Sequence, residues 1–177
     1  EIIKKDGFKI QATVHVVIEG ESPITMAKST GLAIIELSTI FNDLLPDFVL
    51  TVADRYETMA TAIAASYMNI PLVHTQGGEV TGSIDESVRH AITKLAHVHF
   101  PSTRESANRL IKMGENKKFI FNVGCPSIDT LKKQNLSISA LKNFKKGVGG
   151  NVNLNKPYIL VVQHPVTTEY KKNIFEI

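Results

Sequence analysis

The sequence predicts an α/β fold: a Rossmann-like, doubly wound parallel sheet with helices on both faces. Three observations carry this. Short apolar, β-branched segments alternate with longer segments of helical spacing. Residues 48–53 are apolar without alternation, as strands buried on both faces of a parallel sheet are. Charged and amide side chains follow directly after the strand segments, where ligands of such sheets bind.

Residues 11–18 are rich in β-branched side chains and read as the first strand. Ser22 is the expected N-cap of the helix that follows, with Pro23 at its first position. Ile24, Ala27, Ile34, Leu37, Phe41 and Leu44 keep helical spacing, and Gly31 is an expected interruption. Pro46 and Asp47 punctuate, and 48–53 is the second strand. An alanine-rich helix is expected over 57–69, a short strand over 71–74, and a loop with three glycines over 76–82. Ser83 and Glu86 have capping-box spacing for a helix running to Ala96. Residues 98–100 form the next strand, and Ser102 with Glu105 a second capping box. Gly114 is the glycine that ends that helix. Residues 119–123 complete a set of five strands, a sheet expected to lack its first strand.

Beyond this point the composition changes. Residues 132–155 are rich in Lys, Asn, Ser and Gly and read as a short helix and a linker. Residues 158–163 open a new apolar strand, and Thr167 or Thr168 is placed to cap a last helix. The expected organisation is an N-terminal Rossmann-like domain over 1–150, incomplete at its start and ending in the linker. A second, truncated domain begins over 151–177. The first residue is Glu1 rather than methionine, which reads as a missing front end.

Composition narrows the function. Hydrophobic residues are 43% and charged residues 21%, with a net charge of +3 and no basic run, so neither nucleic acid nor a membrane surface is an expected partner. No apolar run approaches the roughly 20 residues that span a bilayer. Cys125 is the only cysteine, so no internal disulfide can form and a reducing compartment fits.

The segments after the strands hold the candidate chemistry. Asp54 and Arg55 follow the second strand; Gln76, Gly77, Gly78 and Glu79 follow the third, with Asp85 just beyond; His164 follows the strand past the linker. Each has a simpler reading. Asp54 and Asp85 are also helix-capping candidates. The glycine pair also suits a tight turn, and it lacks the Gly-x-Gly-x-x-Gly spacing that would argue for a dinucleotide. His90, His97 and His99 read as helix-face and strand residues, with no metal site expected. Cys125, followed by Pro126, reads as a packed residue rather than a nucleophile.

Together these loops resemble the hydrolysing UDP-N-acetylglucosamine 2-epimerases of sialic-acid and related nonulosonic-acid synthesis. The stretches that carry the resemblance are Gly20-Glu21 with residues 29–33; Pro46-Asp47 through Asp54-Arg55; residues 68–70; His74-x-x-Gly77-Gly78-Glu79-Val80; residues 84–97; residues 124–127; and residues 163–168. The resemblance covers almost the whole chain, and residues 84–97 with 163–168 are its most specific parts. It implies a two-domain GT-B fold with the active site between the domains. It implies a cytoplasmic enzyme that needs no cofactor, binds a nucleotide-sugar and works as a homo-oligomer at full length. It implies a reaction in which the nucleoside diphosphate is eliminated and water then adds to the unsaturated sugar. By the same resemblance Asp54, Asp85, Glu79 and His164 match catalytic positions, His164 coming from the second domain. Arg55, Gln76, Gly77 and Gly78 match substrate-binding ones.

Two departures stand out. Gln76 occupies a position where many members have Glu, and a glutamine cannot abstract a proton. Either Glu79 or one of the aspartates takes that role, or this branch handles another sugar, the diacetylated or GDP-linked substrates of the legionaminic-acid pathway being candidates. Ala53 stands where Gly often precedes the Asp-Arg pair, expected to be a mild change. A GT-B glycosyltransferase and a non-catalytic nucleotide-sugar-binding protein are the competing functions.

Overall fold

The computed structural model describes residues 2–20, 22–134, 153 and 156–162. The chain divides into two compact units at Cys125/Pro126. The first unit holds a parallel sheet of three strands in the order β1 (Val49–Val52), β2 (Leu72–Thr75), β3 (Val98–Phe100). The registers Val49↔Leu72 and Val73↔Val98 are both parallel. Among the described residues five α-helices accompany them: α1 (Ile2–Lys5), α2 (Pro23–Leu44), α3 (Tyr56–Tyr67), α4 (Ile84–Leu95) and α5 (Arg104–Lys112).

Local chemistry accounts for most boundaries. The Ser22 hydroxyl accepts from the Thr25 N–H at 3.3 Å, and the Thr25 hydroxyl accepts from the Ser22 N–H at 3.2 Å, so α2 begins with a reciprocal cap. Gly31 does not interrupt α2; it costs the helix only its entropy. The helix has 22 residues, and an 18-residue window of it has a mean hydropathy of 1.2, long and apolar enough by length and composition to cross a bilayer, although Lys28, Glu36 and Asp43 interrupt its apolar residues. Here it packs on α3, burying Ser29, Ala33 and Phe41.

Helix α3 is buried over Ala60, Ala62, Ala64 and Ala65. Small side chains let it approach its neighbours closely. It stops at Asn69, which adopts φ 55° while Ile70 donates to the Ala65 carbonyl and Asn69 to that of Ser66. Helix α5 ends the same way, with Gly114 at φ 92°, Glu115 donating to Leu110 and Gly114 to Ile111. Both are Schellman closures. The start of α5 falls one residue later than expected, because Thr103 rather than Ser102 caps it, accepting from the Ser106 N–H at 3.0 Å.

The strand expectations were too generous at both ends. Residues 11–18 form no ladder: Val14 and Val16 pack in a small cluster with Ala33 and Ala60, and the Ile18 N–H donates to the Ser29 hydroxyl. Residues 119–123 contribute a single parallel bridge, Ile120 to His99, after a 3-10 turn at Lys117–Phe119. β1 is covered on one face only among the described residues: Val49 and Thr51 are buried, while Leu50 is 52% and Val52 48% exposed. The core lies beneath the other face, where Leu72, Ile92, Ala62 and Ala65 meet.

The second unit contributes one described helix, α6 (Pro126–Lys133), which starts at a proline suited to the first helical position. Tyr158 to Val162 forms no strand among the described residues, and Ile159 is 90% exposed. The linker from 135 to 152, His164 and the threonines at 167 and 168 lie outside the described residues.

Candidate active site

The rim at the carboxyl ends of the strands is built by two turns. The first leaves β1. Ala53 there has φ 62°, a left-handed conformation that disfavours any side chain, so alanine in place of glycine is not a mild change. The His74 side chain, fully buried in β2, secures that turn: its Nε2–H donates to the Ala53 carbonyl at 2.8 Å. The Thr93 hydroxyl on α4 lies 3.3 Å from the other ring nitrogen, which accepts from it in this tautomer. Burial lowers the His74 pKa to about 4, against the pull of the Ala53 carbonyl, so the ring is neutral. His74 thus ties β2 and α4 to the residue immediately before Asp54.

The second turn leaves β2 and runs from Gln76 to Gly82. Gly77 is required by contact, Gly82 by its φ of 70°, and Gly78 by both. A Cβ on Gly77 would sit 3.0 Å from the His74 ring and 3.1 Å from the Thr93 hydroxyl. One on Gly78, at φ 81°, would meet the Ser106 carbonyl oxygen at 2.5 Å. Gln76 itself has φ 58°, and its N–H donates to the Phe100 carbonyl at 2.9 Å. Arg109 of α5 donates to the Gly78 carbonyl, and Arg89 of α4 donates to the Glu79 carbonyl at 2.8 Å. Glu86 then accepts from the N–H groups of Thr81 and Gly82 at 2.9 and 2.8 Å, which hold its pKa below the ordinary carboxylate range. Glu86 therefore braces the loop rather than completing a capping box with Ser83. The Ser83 hydroxyl caps α4 by accepting from the Asp85 N–H at 3.3 Å.

Arg89 also holds the centre of the site. Its Nη2 donates to the Asp54 carboxylate, and the two side chains are 5% and 17% exposed. Burial lowers the Arg89 pKa, the cost of keeping a guanidinium away from water. Asp54 is consequently not a helix cap: the cap residue of α3 is Arg55, and no side chain bonds there. Arg55 points its charge elsewhere, pairing with Glu57 at 3.1 and 3.0 Å, which raises its pKa; its side chain is 73% exposed. Arg89 was missed from sequence. Its one signal is position: it follows Val88 and lies four residues after Asp85, a charge on the inward face of an amphipathic helix.

Asp54 and Asp85 line one pocket of about 160 Å³, whose other walls come from the N-terminal parts of α2, α3 and α4. Glu79 contributes its backbone to this region through Arg89, and Gln76, Gly77 and Gly78 form the adjoining turn. Among the described residues no group of three His, Cys, Asp or Glu side chains lies close enough to hold a metal. The histidines named above have structural partners instead. His97 accepts from the Leu72 N–H at 3.2 Å, His99 lies 3.3 Å from Glu115, and His90 lies 3.8 Å from Glu86. Cys125 is half-buried.

Comparison with known proteins gives one consistent picture. Residues 1–177 match the model of the family described as UDP-N-acetylglucosamine 2-epimerase. The chain is 40% identical over 167 residues to the UDP-N,N'-diacetylbacillosamine 2-epimerase (hydrolyzing) of Legionella pneumophila, covering 94% of the chain and 43% of that protein. It is 37% identical over 171 residues to the GDP/UDP-N,N'-diacetylbacillosamine 2-epimerase (hydrolyzing) of Campylobacter jejuni, covering 96% of the chain and 44% of that protein. The chain thus spans less than half the length of these relatives. Among solved structures, the UDP-GlcNAc 2-epimerase from Neisseria meningitidis bound to UDP-GlcNAc is similar at 25% identity and a TM-score of 0.58, over 71% of this chain and 35% of that one.

Proposed function

The chain belongs to the UDP-N-acetylglucosamine 2-epimerase family, and from that premise we propose that the full-length protein is a hydrolysing nucleotide-sugar 2-epimerase. It converts UDP-GlcNAc, or a related nucleotide-linked 2-acetamido sugar, to the free 2-epimer and a nucleoside diphosphate. A base takes the proton from C2 as the C1–O bond breaks and its electron pair leaves with the diphosphate. The unsaturated sugar then gains a hydroxyl at C1 and a proton at C2 on the opposite face. Such chemistry needs acid/base groups placed around the ring and fixed partners for the leaving charge.

The observation that carries this reading is the pairing of Asp54 with buried Arg89 on the wall of a pocket that also contains Asp85. A carboxylate locked in one orientation is prepared for proton transfer or substrate alignment. Asp54 and Asp85 serve as acid/base or orienting groups, with Glu79 and His164 completing the catalytic set. Gln76, Gly77, Gly78 and Arg55 contact the substrate. Residues 1–150 are the N-terminal domain with its linker, and 151–177 begin the second domain, which contributes His164. The enzyme acts in the cytoplasm as a homo-oligomer and serves nonulosonic-acid synthesis.

The test is mass spectrometry of products from the full-length protein incubated with UDP-GlcNAc, UDP-N,N'-diacetylbacillosamine and GDP-GlcNAc. A free 2-epimer with the matching nucleoside diphosphate is the expected result. Sugar transferred to an acceptor, or no turnover of any of the three, would reject the reading.

A further inference from the structure

Ala53, the residue before Asp54, is held by β2 at both of its backbone polar groups. Its N–H donates to the Thr75 carbonyl at 3.1 Å, and its carbonyl accepts from the His74 Nε2–H at 2.8 Å. That grip matters because φ 62° is a conformation that a residue with a side chain rarely adopts. The His74 bond depends in turn on how the ring is held. A neutral imidazole donates through one nitrogen and accepts through the other, so with Nε2–H on the Ala53 carbonyl, Nδ1 needs a donor. Thr93 of α4 supplies it: its hydroxyl lies 3.3 Å from Nδ1, and both residues are fully buried. Gly77 closes over the pair so tightly that a Cβ there would lie 3.0 Å from Nδ1 and 3.1 Å from the Thr93 oxygen.

We propose that Thr93 is a positioning residue for the reaction: its hydroxyl holds the His74 ring in the orientation that grips the Ala53 carbonyl, and through Ala53 it sets the aim of the Asp54 carboxylate. The inference rests on the epimerase reading above and adds to it a residue too buried to touch the substrate. Thr93 and Arg89 are four residues apart and both buried, so they share one face of α4. Arg89 holds Asp54 at the carboxylate, and Thr93 holds it at the backbone, by way of His74 and Ala53. Without the hydroxyl, the buried Nδ1 lone pair is left unmatched, which favours any turn of the ring that finds it a donor. Each such turn takes Nε2–H away from the Ala53 carbonyl and frees the strained residue to relax. A carboxylate that must meet a substrate proton loses rate steeply when it is misplaced, even where the substrate still binds.

The experiment uses the full-length protein, Thr93→Val and Thr93→Ser, with thermal melting as a folding control. Valine keeps the shape and removes the hydroxyl; serine keeps the hydroxyl and removes the methyl. Packing alone would therefore favour valine, and positioning favours serine. On whichever of the three nucleotide-sugars the wild type turns over best, Thr93→Val is expected to lose about 10-fold or more in kcat with KM changed by less than about threefold. Thr93→Ser is expected to stay within about threefold of wild type in kcat. A folded Thr93→Val with kcat within about twofold of wild type, or a Thr93→Ser no faster than Thr93→Val, overturns the proposal. A second readout needs no turnover: nitrogen-15 NMR of the histidine rings, with His74 identified by the signal missing from His74→Gln. Wild type and Thr93→Ser should show His74 protonated at Nε2 with that proton slow to exchange, and Thr93→Val should lose the protection. A wild-type ring protonated at Nδ1 overturns the proposal and leaves the epimerase reading intact. A wild type that turns over no nucleotide-sugar overturns both.

Discussion

The Arg89 guanidinium, buried on α4, holds the Asp54 carboxylate that follows β1, although the two residues are 35 positions apart. Its other terminal nitrogen donates to the Glu79 carbonyl at 2.8 Å. One side chain therefore fixes both strand-end turns that make the site.

We predict that Arg89→Gln in the full-length protein lowers stability by about 3–5 kcal/mol, the usual loss when one partner of a buried ion pair is removed. Arg89→Lys should recover part of the stability and little of the turnover, because a point charge cannot serve Asp54 and the Glu79 carbonyl with a planar fork. Asp54→Asn should lower both quantities as well, since it leaves the guanidinium unneutralised. Denaturant melts and kcat measured side by side give the answer; a stable, active Arg89→Gln protein would remove the pair from the mechanism.

A second prediction concerns pH. His74 is neutral in the folded protein because burial brings its pKa to about 4. The unfolded chain titrates near the ordinary value of about 6.5 and so binds a proton that the folded chain refuses. The stability is present above pH 6.5 and lost as the pH falls toward 4. The fall from 6.5 to about 4 is worth about 3 kcal/mol at most. Buried His99, whose pKa burial also lowers against the pull of Glu115, acts in the same direction. His74→Gln keeps an amide donor for the Ala53 carbonyl but cannot titrate. Its stability should decline less steeply between pH 7 and 4.5; an identical slope would show that His74 does not carry the effect.

Two glycines should respond in opposite ways. Gly31 sits inside α2 with open space where a Cβ would go. Gly31→Ala is therefore expected to stabilise by about 0.5–1 kcal/mol. Gly78→Ala must accept both φ 81° and a Cβ 2.5 Å from the Ser106 carbonyl. Strain of that kind costs on the order of 1–3 kcal/mol, and the clash adds to it. Thermal melting of the two variants decides; a neutral Gly78→Ala would mean that the loop yields easily.

Gln76 tests the division of labour at the site. Its backbone is committed to φ 58° and to the Phe100 carbonyl, so the side chain alone is free to change role. Gln76→Glu adds a carboxylate to a rim that already carries Asp54 and Asp85, and like charges raise one another's pKa. We predict weaker binding or an altered sugar preference, read as kcat/KM on the three nucleotide-sugars. A gain of about tenfold or more on UDP-GlcNAc alone would mean that the natural glutamine is a lost base rather than a positioning group.

Some of this was legible in the residues. Strand–helix alternation and the caps at Ser22 and Ser83 are local patterns, and local patterns fix which segments form elements and where their ends point. For a parallel sheet that is enough to put Asp54, Gln76 and Asp85 on one rim. The same reasoning overreached at residues 11–18, because β-branched composition reports fitness for a strand and not the presence of a partner to pair with. It offered a helix cap as one role for Asp54 and named no partner for its charge. The choice between Arg55, adjacent in sequence, and Arg89 depends on how α4 seats against the sheet, and no helical or strand period encodes a contact across 35 residues. The burial of His74, the contact that forbids a side chain at Gly78, and the apolar pocket shared by three helices are of the same kind. Each is a distance between segments, set only when the core closes around Leu72 and Ile92 and the elements lose the freedom to meet in any other way.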